Sequence, residues 1–402
     1  MNSALGMFRS LQTPNYRRWA FGAIVSNVGT WMQRTAQDWI VLAQLTDQSA
    51  TAVGTVMALQ YAPLVLLLPV TGLAADRLDR RKLLLATQTA MALLALGLGI
   101  LTVTGWVRLW HVYVFAFLLG CATAFDAPVR HAFVGDLVGE EDLPNAVALS
   151  STSFNSARMI GPAVAGVLIA KIGTGWVFLV NAASFLPVLA ALASIQLAPR
   201  DHAVQKVRGS LLDGFRYVWH RKDLRTILIM IFLVGTFGIN FPIFLSTMSV
   251  SVYRKGANEF GLLTSFMAVG SVAGALLAAR RQTPGIGVLV TSGALFGVGL
   301  ALAAVAPSFA LFGVALVLVG VSAQTFTTTA NSTMQMASDP QMRGRAVSIF
   351  LAVALGATPI GAPIVGRVAD VLGPRWGVAV GAASGFAAAL VGLRFLGSKK
   401  EF

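Results

Sequence analysis

An arginine and an aspartate four residues apart, Arg34 and Asp38, lie inside the first long apolar stretch of the sequence. Residues at this spacing share one face of a helix, so their side chains can pair. Removal from water favours the protonated form of a carboxylate, whereas a neighbouring guanidinium favours the charged form. The pair can therefore take up a proton and pass the effect of that uptake to Arg34. The alternative is a static ion pair that holds the helix in place.

Two further apolar stretches also carry charged side chains, which are costly in such surroundings and mark functional sites. Arg158 follows Asn155 by three residues, so both lie on one stripe, and we expect them to face a cavity. Asp126 and Arg130 lie in a third stretch. We expect Asp126 to form a salt-bridge latch with Arg80, which lies in a charged connector, and we assign Asp126 and Arg130 to a gate.

The composition shows which elements must position these groups. Of 402 residues, 11% are charged and 56% are hydrophobic, whereas soluble proteins have nearer a quarter charged. The apolar runs are long enough to cross a bilayer as helices and too uniformly apolar for a membrane barrel. We predict an all-α polytopic membrane protein with twelve transmembrane helices in two pseudo-symmetric halves. The predicted spans are 18–45, 52–75, 82–104, 109–134, 144–170, 174–196, 224–252, 259–279, 285–306, 308–333, 346–369 and 374–397.

The distribution of basic residues predicts the orientation of these spans. With the N-terminus inside, twenty of the thirty Lys and Arg residues fall in inner segments and six in outer loops, as expected for cytoplasmic loops. We expect a multi-pass protein of the bacterial cytoplasmic (inner) membrane with both termini in the cytoplasm. The basic loops lie beside anionic lipid in this arrangement. The net charge of +14 then needs no nucleic acid to explain it.

The chain also divides into two similar halves. Shifted by 200 residues, Trp176 meets Trp376 and the Arg80–Arg81 pair meets another arginine pair, at 280–281. Parallel repeats of this kind occur in one class of transporters, with the substrate site between the halves near the bilayer midplane. We predict an N-terminal six-helix half (1–196), a cytoplasmic linker with a short amphipathic helix (197–223) and a C-terminal six-helix half (224–402).

The connector "GLAADRLDRRKL" at residues 72–83 resembles the signature that the major facilitator superfamily has between its second and third helices. Asp79 stands where the family usually has a second glycine. That departure resembles the subgroup of bacterial efflux proteins that includes the enterobactin exporter. "GTWMQRTAQDWIVLAQLT", "DAPVRHAF" and "RMIGPAVAG" are similar to the same subgroup. The connector residues that match the signature are Gly72, Asp76, Arg77, Arg80 and Arg81.

The resemblance implies transport by alternating access, with gates that close each side in turn. It implies that Asp76 meets the N-terminus of span 11 when the cytoplasmic side is shut, where the helix dipole favours an anion. "GPAVAG" in span 5 resembles the antiporter motif of the superfamily, although Ala157 and Ala165 replace expected glycines, and it favours export. The gating residues expected on this basis, with the connector set, Asp126 and Arg130, are Gly161, Pro162 and Gly166.

The second half supplies polar and aromatic residues at depth instead of charges. Gln324, Thr328 and Asn331 fall on one face of span 10, and phenylalanines cluster around Asn240 in span 7. This combination suits a bulky amphiphile better than a sugar or an ion. Ordinary helix packing is the alternative for the phenylalanines. We expect the substrate to contact Arg34, Asn155, Arg158, Asn240, Phe241, Phe244, Gln324, Thr328 and Asn331.

The function predicted from these features is proton-coupled export of amphiphilic small molecules, either drugs or a siderophore. The sequence has no Walker motif, metal-ligand cluster or nucleophile–base pair, so we expect no enzyme activity, cofactor or metal. Its expected partners are the substrate, protons and membrane lipid, and we expect a monomer. The alternatives are a metabolite uptake symporter or facilitator of the same superfamily, and a membrane sensor without transport. The connector and the matched halves argue against the sensor.

Overall fold

The computed structural model describes residues 8–195, 211–279 and 285–398, and these ranges contain helices and turns but no strand. Part of the predicted linker and several of the basic residues used to predict the orientation lie outside the described residues. Those basic residues are Arg200, Lys206, Arg208, Arg280, Arg281, Lys399 and Lys400.

Eight helices cover the described part of the first half. They are α1 (Pro14–Ile40), α2 (Ala50–Leu66), α3 (Leu68–Arg77), α4 (Arg80–Val103), α5 (Leu109–Leu137), α6 (Leu143–Ile172), α7 (Thr174–Ser184) and α8 (Leu186–Ser194). A 3₁₀ turn at Arg9–Gln12 precedes α1, and a π-helical turn at Val41–Leu45 follows it.

Eight more helices cover the remainder. They are α9 (Leu211–His220), α10 (Lys222–Leu233), α11 (Phe241–Thr247), α12 (Ala257–Ala279), α13 (Ile286–Val305), α14 (Phe309–Ala337), α15 (Arg343–Leu372) and α16 (Pro374–Ser398). Two π-helical turns, Val234–Gly238 and Met248–Val252, flank α11.

Three predicted spans are interrupted rather than continuous. Span 2 divides into α2 and α3, span 6 into α7 and α8, and span 7 into α10, α11 and their π-helical turns. Pro187 and Pro242 lie in the first turns of α8 and α11. Proline has no N–H for the preceding turn and is tolerated mainly at a helix start. Hydropathy depends on how apolar the side chains are and does not detect this missing hydrogen bond. The uniformly apolar runs therefore predicted unbroken helices.

Nine helical segments of the described chain are long and apolar enough to cross a membrane. The 17-residue α2 is apolar but shorter. The arginines, aspartate and amides of α1 lower its hydropathy, so α1 is not among the nine. The prediction of an all-α polytopic membrane protein is confirmed. The count of twelve stays a prediction.

Two helix pairs repeat at an offset of 200 residues. The pair α5 and α6 covers 109–137 and 143–172, and the pair α14 and α15 covers 309–337 and 343–372. Gly173 and Gly373 follow these pairs with φ of 90° and 104°. Glycine adopts such angles without a steric cost, and both helix pairs end in the same way. The shared bounds support the duplication that the sequence shows.

The described residues form two compact units. The first contains the residues up to Ile40 and those from Ala62 to 195, and the second contains Val41–Tyr61 and the residues from 211 onward. The segment 41–61 therefore groups with the second unit although it precedes most of the first in sequence.

Aromatic side chains fill the core of the first unit and anchor its helices. Trp19 of α1 meets Phe133 of α5 edge to face at 5.2 Å between ring centroids. The hydroxyl of the buried Tyr16 donates to the carbonyl of Ala146 on α6 at 2.8 Å. These contacts hold α1, the helix with Arg34 and Asp38, against α5 and α6.

In the second unit, Arg375 of α16 donates to the carbonyls of Ala304 and Ala306 at 2.7 and 2.9 Å. These carbonyls lie at the end of α13, where a helix has no partners of its own for them. A cationic side chain satisfies them and complements the helix dipole. Buried phenylalanines fill the core around these helices: Phe244, Phe260, Phe296, Phe312 and Phe326.

The helix α9 of the linker packs within the second unit. Its Tyr217 hydroxyl accepts a hydrogen bond from the backbone N–H of Asp339 at 2.9 Å. The next residue after α9, Arg221, donates to the carbonyl of Ala337 at the end of α14 and to Asp223. The hydrogen bond from Arg221 to Asp223 raises the pKa of Arg221 above its ordinary value. α9 is thus fixed to the end of α14 and to the turn that precedes α15.

Candidate functional site

The charged residues of α1 and α6 meet around one indole ring in the first unit. The guanidinium of Arg34 lies 5.0 Å from the centroid of Trp31, and that of Arg158 lies 5.9 Å from it. Cations favour the face of an indole ring. Arg34 also interacts electrostatically with the carboxylate of Asp38, as the four-residue spacing predicts. Arg34, Asp38 and Arg158 are therefore brought together.

The ring that joins these arginines was not predicted from the sequence. Trp31 meets Phe154 of α6 at 5.8 Å between centroids, in an edge-to-face arrangement. Phe154 is 48% exposed, so this cluster presents an aromatic surface beside its charges. Trp31 lies three residues before Arg34, on the same face of α1, and that spacing was the available signal.

Asn155 follows Phe154 on α6 and is exposed, and its place in a cavity stays a prediction. Its amide donates to the carbonyl of Ser151, one turn back on α6, at 2.8 Å. The side-chain nitrogen is therefore engaged within its own helix.

The glycine–proline motif of α6 sets how closely α1 and α6 approach. A Cβ atom on Gly161 would lie 2.6 Å from the Cβ of Trp31 and 3.1 Å from the carbonyl oxygen of Val28. Only glycine fits at this contact. Pro162 and Gly166 are buried in the same helix, which continues through the proline. The motif thus positions the indole, and its assignment to a gate stays a prediction.

A second polar pair joins α1 to α7. The amide nitrogen of Asn181 donates to the Gln33 side-chain oxygen at 2.5 Å, and both residues are buried. Buried amides need such partners. The pair fixes the rotation of α1 one residue from Arg34, and Asn181 was not predicted from the sequence.

Asp126 is held by three different donors. Its carboxylate accepts from the Thr87 hydroxyl at 2.9 Å, the Gln88 amide at 2.6 Å and the Arg130 Nε at 2.9 Å. Arg130 also donates to Asn27 of α1 at 3.2 Å. Asp126 is 4% exposed. This network joins α1, α4 and α5, and it leaves Asp126 engaged with Arg130 rather than with the connector.

The expected latch between Arg80 and Asp126 is wrong. The Arg80 guanidinium instead bonds both carboxylate oxygens of Asp136, each at 3.0 Å. Asp126 lies ten residues before Asp136, nearly three turns earlier on α5. Arg80 begins α4 and reaches the end of α5, so the nearer carboxylate forms the pair.

The other connector residues have separate structural roles. Arg81 donates to the carbonyls of Leu192 and Ala193 at the end of α8, both at 2.6 Å. Asp79 accepts from the backbone N–H of Lys82 at 3.0 Å and so caps the start of α4. Asparagine, aspartate and serine are favoured at this position. The cap explains an aspartate where the family signature has glycine.

Two predicted gating residues of the connector lie at the surface. Gly72 and Arg77 are exposed, and a Cβ on Gly72 would meet nothing within 4 Å. The side chain of a third, Asp76, lies outside the described part of the chain. The contact of Asp76 with span 11 stays a prediction.

In the second unit, four polar residues follow one face of α14. Gln324 donates to the Thr328 hydroxyl at 3.1 Å, and Gln335 donates to the Asn331 side-chain oxygen at 3.2 Å. Gln324, Thr328 and Asn331 are half-buried. The predicted polar stripe is therefore present as two hydrogen-bonded pairs in a row along α14, and Gln335 extends it by one turn.

The aromatic cluster of span 7 packs inside the second unit. Phe241 meets Phe296 of α13 at 6.3 Å, and Phe244 packs against Gly381 of α16. Phe241 is 8% exposed and Phe244 is 1% exposed. Both rings pack as the alternative of ordinary helix packing describes, and their contact with the substrate stays a prediction.

Asn240 lies at the interruption between the π-helical turn and α11. It is fully buried, and its amide nitrogen donates to the Thr236 carbonyl at 2.7 Å. Its hydrogen bond ties the two parts of the interrupted helix together. Within the described residues, no group of three or more His, Cys, Asp or Glu side chains has an arrangement that fits a metal ion.

These features indicate a polytopic membrane transporter: nine described segments are long and apolar enough to cross a membrane, and helices of the same chain hold buried charged and amide side chains. The chain belongs to the transmembrane secretion effector family of major facilitator transporters, whose family model matches residues 6–401. The resemblance seen in the connector is confirmed.

Relatives with assigned roles support this family over most of the chain. The multidrug efflux pump Tap of Mycolicibacterium fortuitum is 26% identical, covering 88% of each chain. The staphyloferrin A transporter of Staphylococcus aureus is 26% identical, covering 86% of this chain and 87% of its own. The enterobactin exporter EntS of Shigella flexneri is 26% identical, covering 89% and 85%. These proteins are transporters and not enzymes, and the present chain is likewise a transporter.

The fold is also that of solved transporters. The nucleoside transporter NupG has a TM-score of 0.73 and 13% identity, covering 95% of this chain and 99% of that chain. At this identity the likeness shows the fold alone.

Proposed function

We propose that this protein is a proton-coupled exporter of amphiphilic small molecules. The observation that carries the proposal is the cluster of Asp38, Arg34 and Arg158 around Trp31 in the first unit. It combines a titratable carboxylate, two cations and an aromatic face on helices of membrane length. Ionisable groups at such depth are retained for function.

Competition for Arg34 gives the cluster a coupling mechanism. When the Asp38 carboxylate is charged, it offers Arg34 an anionic partner on the same helix face. When Asp38 binds a proton, that attraction is lost, and an anionic or aromatic group of a substrate becomes the better partner. Proton and substrate binding then favour different arrangements of one arginine. Each ligand can thereby shift the same conformational equilibrium.

The side chains of the two units indicate the substrate class. In the first unit, Trp31, Phe154 and Arg158 suit an aromatic or acidic group. In the second, the α14 row of Gln324, Thr328 and Asn331 supplies hydrogen bonds. We propose that residues of these sets bind the transported molecule, with Asn155 and Asn240 as further polar contacts. The names of three relatives, a multidrug efflux pump, a staphyloferrin A transporter and an enterobactin exporter, support a small-molecule substrate.

Two observations support export as the direction of transport. The α6 motif resembles that of antiporters, and two of the relatives are named as an efflux pump and an exporter. We further propose a bacterial inner-membrane location with both termini in the cytoplasm, a monomeric state, and contact of the basic inner loops with anionic lipid.

Reconstitution into proteoliposomes tests the function directly. Purified protein is inserted into vesicles, and the movement of a panel of acidic, neutral and cationic amphiphiles is followed with and without an imposed pH gradient. We expect at least one amphiphile to accumulate against its gradient only when the pH gradient is present. Equal movement in both conditions for every compound would favour a facilitator instead.

Arg158→Ala is expected to lower transport of acidic compounds about tenfold, corresponding to a loss of ~1.4 kcal/mol, and to change neutral compounds little. The reason is the loss of the cation beside Trp31. The measurement is the initial rate for each member of the panel. Arg158→Lys is the matched control, because it keeps the charge without the planar guanidinium and should retain part of the preference. An equal loss for acidic and neutral compounds would assign Arg158 to folding.

A further inference from the structure

Asp370, near the end of α15, binds the first turn of α2. Its carboxylate accepts from the backbone N–H groups of Ala50 and Thr51 at 2.6 and 3.0 Å. It also accepts from the hydroxyls of Thr51 and Ser49 at 2.5 and 3.1 Å. All four residues belong to the second compact unit.

This arrangement stabilises the N-terminus of α2 electrostatically. The first N–H groups of a helix have no partner within it, and the helix dipole favours an anion there. Hydrogen bonds to a carboxylate are shorter and stronger than those between neutral groups. Asp370 therefore stabilises α2 from a different helix, and α2 loses its cap if the two helices separate.

Small residues bring the two helices into close contact along the same seam. A Cβ on Gly366 would lie 2.5 Å from the Ala50 carbonyl oxygen and 2.8 Å from the Cα of Thr51. A Cβ on Gly54 would collide with the carbonyl of Ala362. Positions 362, 366 and 370 are spaced by four on α15, so the glycine contacts and the carboxylate form one continuous face.

The two partners of this contact come from different repeats of the chain. Segment 41–61 covers the end of span 1, the loop after it and the start of span 2 in the first repeat, yet it packs in one compact unit with α15 of the second repeat. A π-helical turn at Val41–Leu45 precedes this segment, and Pro63 lies in α2 just after it. Such irregularities are points at which helices bend.

We propose that Asp370 and the start of α2 form a latch that is closed in this structure and opens once per transport cycle. In the orientation predicted from the basic residues, the latch lies on the outer side. Its release accompanies opening of that side. The inference needs neither the proposed substrate nor the proposed proton coupling, so its failure would leave the proposed function untouched.

Amide hydrogen exchange tests the latch without a substrate. In the purified protein, Asp370→Asn and Gly366→Ala are compared with the parent. The first removes the charge and the second forces a methyl group into the seam. We expect exchange in the peptide 46–56 to rise about tenfold in both, equivalent to ~1.4 kcal/mol. Asp47→Asn, an exposed aspartate in the same loop, is the control and should leave exchange unchanged.

Hydrogen exchange in the loops predicted on the opposite side of the membrane distinguishes a latch that opens during transport from a cap that only stabilises α2. Residues 138–142 and 338–342 join α5 to α6 and α14 to α15, and they are predicted to be cytoplasmic. Release of the latch should slow their exchange in both variants, because opening one side of an alternating-access transporter closes the other. Faster exchange at 46–56 alone, or no change there, would overturn the proposal.

Discussion

Asp38→Asn is expected to abolish uphill, pH-driven transport while leaving part of the downhill exchange. Asparagine keeps the size of the side chain but cannot bind and release a proton. Its neutral amide also gives Arg34 a weaker partner than the carboxylate does. Arg34 then stays available to the substrate at every pH, so the pH gradient can no longer drive transport through this pair. The measurement is substrate accumulation in proteoliposomes with an imposed pH gradient.

Two matched variants accompany this experiment. Asp47→Asn makes the same chemical change at an exposed position just beyond α1, and it should transport like the parent. Asp38→Glu keeps a titratable group and should retain uphill transport at a reduced rate. If Asp38→Asn accumulates substrate as the parent does, then Asp38 is not the proton carrier and the ion pair is only structural.

Asp126→Ala is expected to lower the free energy of unfolding by about 3–5 kcal/mol, the usual effect of removing one partner of a buried ion pair. The change leaves the Arg130 guanidinium without its carboxylate. It also removes the carboxylate acceptor of the Gln88 amide and of the Thr87 hydroxyl, and the hydroxyl keeps only the carbonyl of Leu84. The measurement is the unfolding midpoint in detergent micelles, followed by tryptophan fluorescence.

The double variant Asp126→Leu with Arg130→Met separates the ion pair from general disruption. Replacing both members of a buried pair by apolar groups is often neutral, so the double variant should be more stable than Asp126→Ala. Asp142→Ala, at a carboxylate paired with Arg9 near the surface, is the matched control and should change stability by less than about 1 kcal/mol. A parent-like midpoint for Asp126→Ala would show that the network contributes no stability.

Local spacing predicted the parts of the site that lie on one helix. Arg34 and Asp38 are four residues apart, and they interact as that spacing requires. Asp126 and Arg130 have the same spacing and form a salt bridge at 2.9 Å, whereas the connector arginine predicted for Asp126 bonds Asp136. The donors from α4 were beyond prediction, because nothing in one sequence fixes which turns of two helices meet.

For the aromatic residues of span 7, the sequence could not show which neighbours their side chains contact. A helix that is apolar on all sides has no pattern to show which face meets a cavity and which meets a neighbouring helix. Phe241 and Phe244 turned out to pack against α13 and α16. The class of fold was predictable because composition and run length decide it. The breaks at Pro187 and Pro242 needed the chemistry of proline as well as hydropathy.

The charge and the hydrogen bonds of the arginines that cap helix ends affect two different properties, the membrane topology and the stability of the folded helices. Arg81 and Arg375 each donate two hydrogen bonds to terminal carbonyls of another helix. A lysine at either position would leave the distribution of basic charges, on which membrane topology depends, unchanged, but its single ammonium lacks the planar fork of a guanidinium. Arginine-to-lysine changes here would therefore leave the insertion signal intact while weakening the folded bundle. Such a variant should insert with the topology of the parent and yet unfold at a lower temperature.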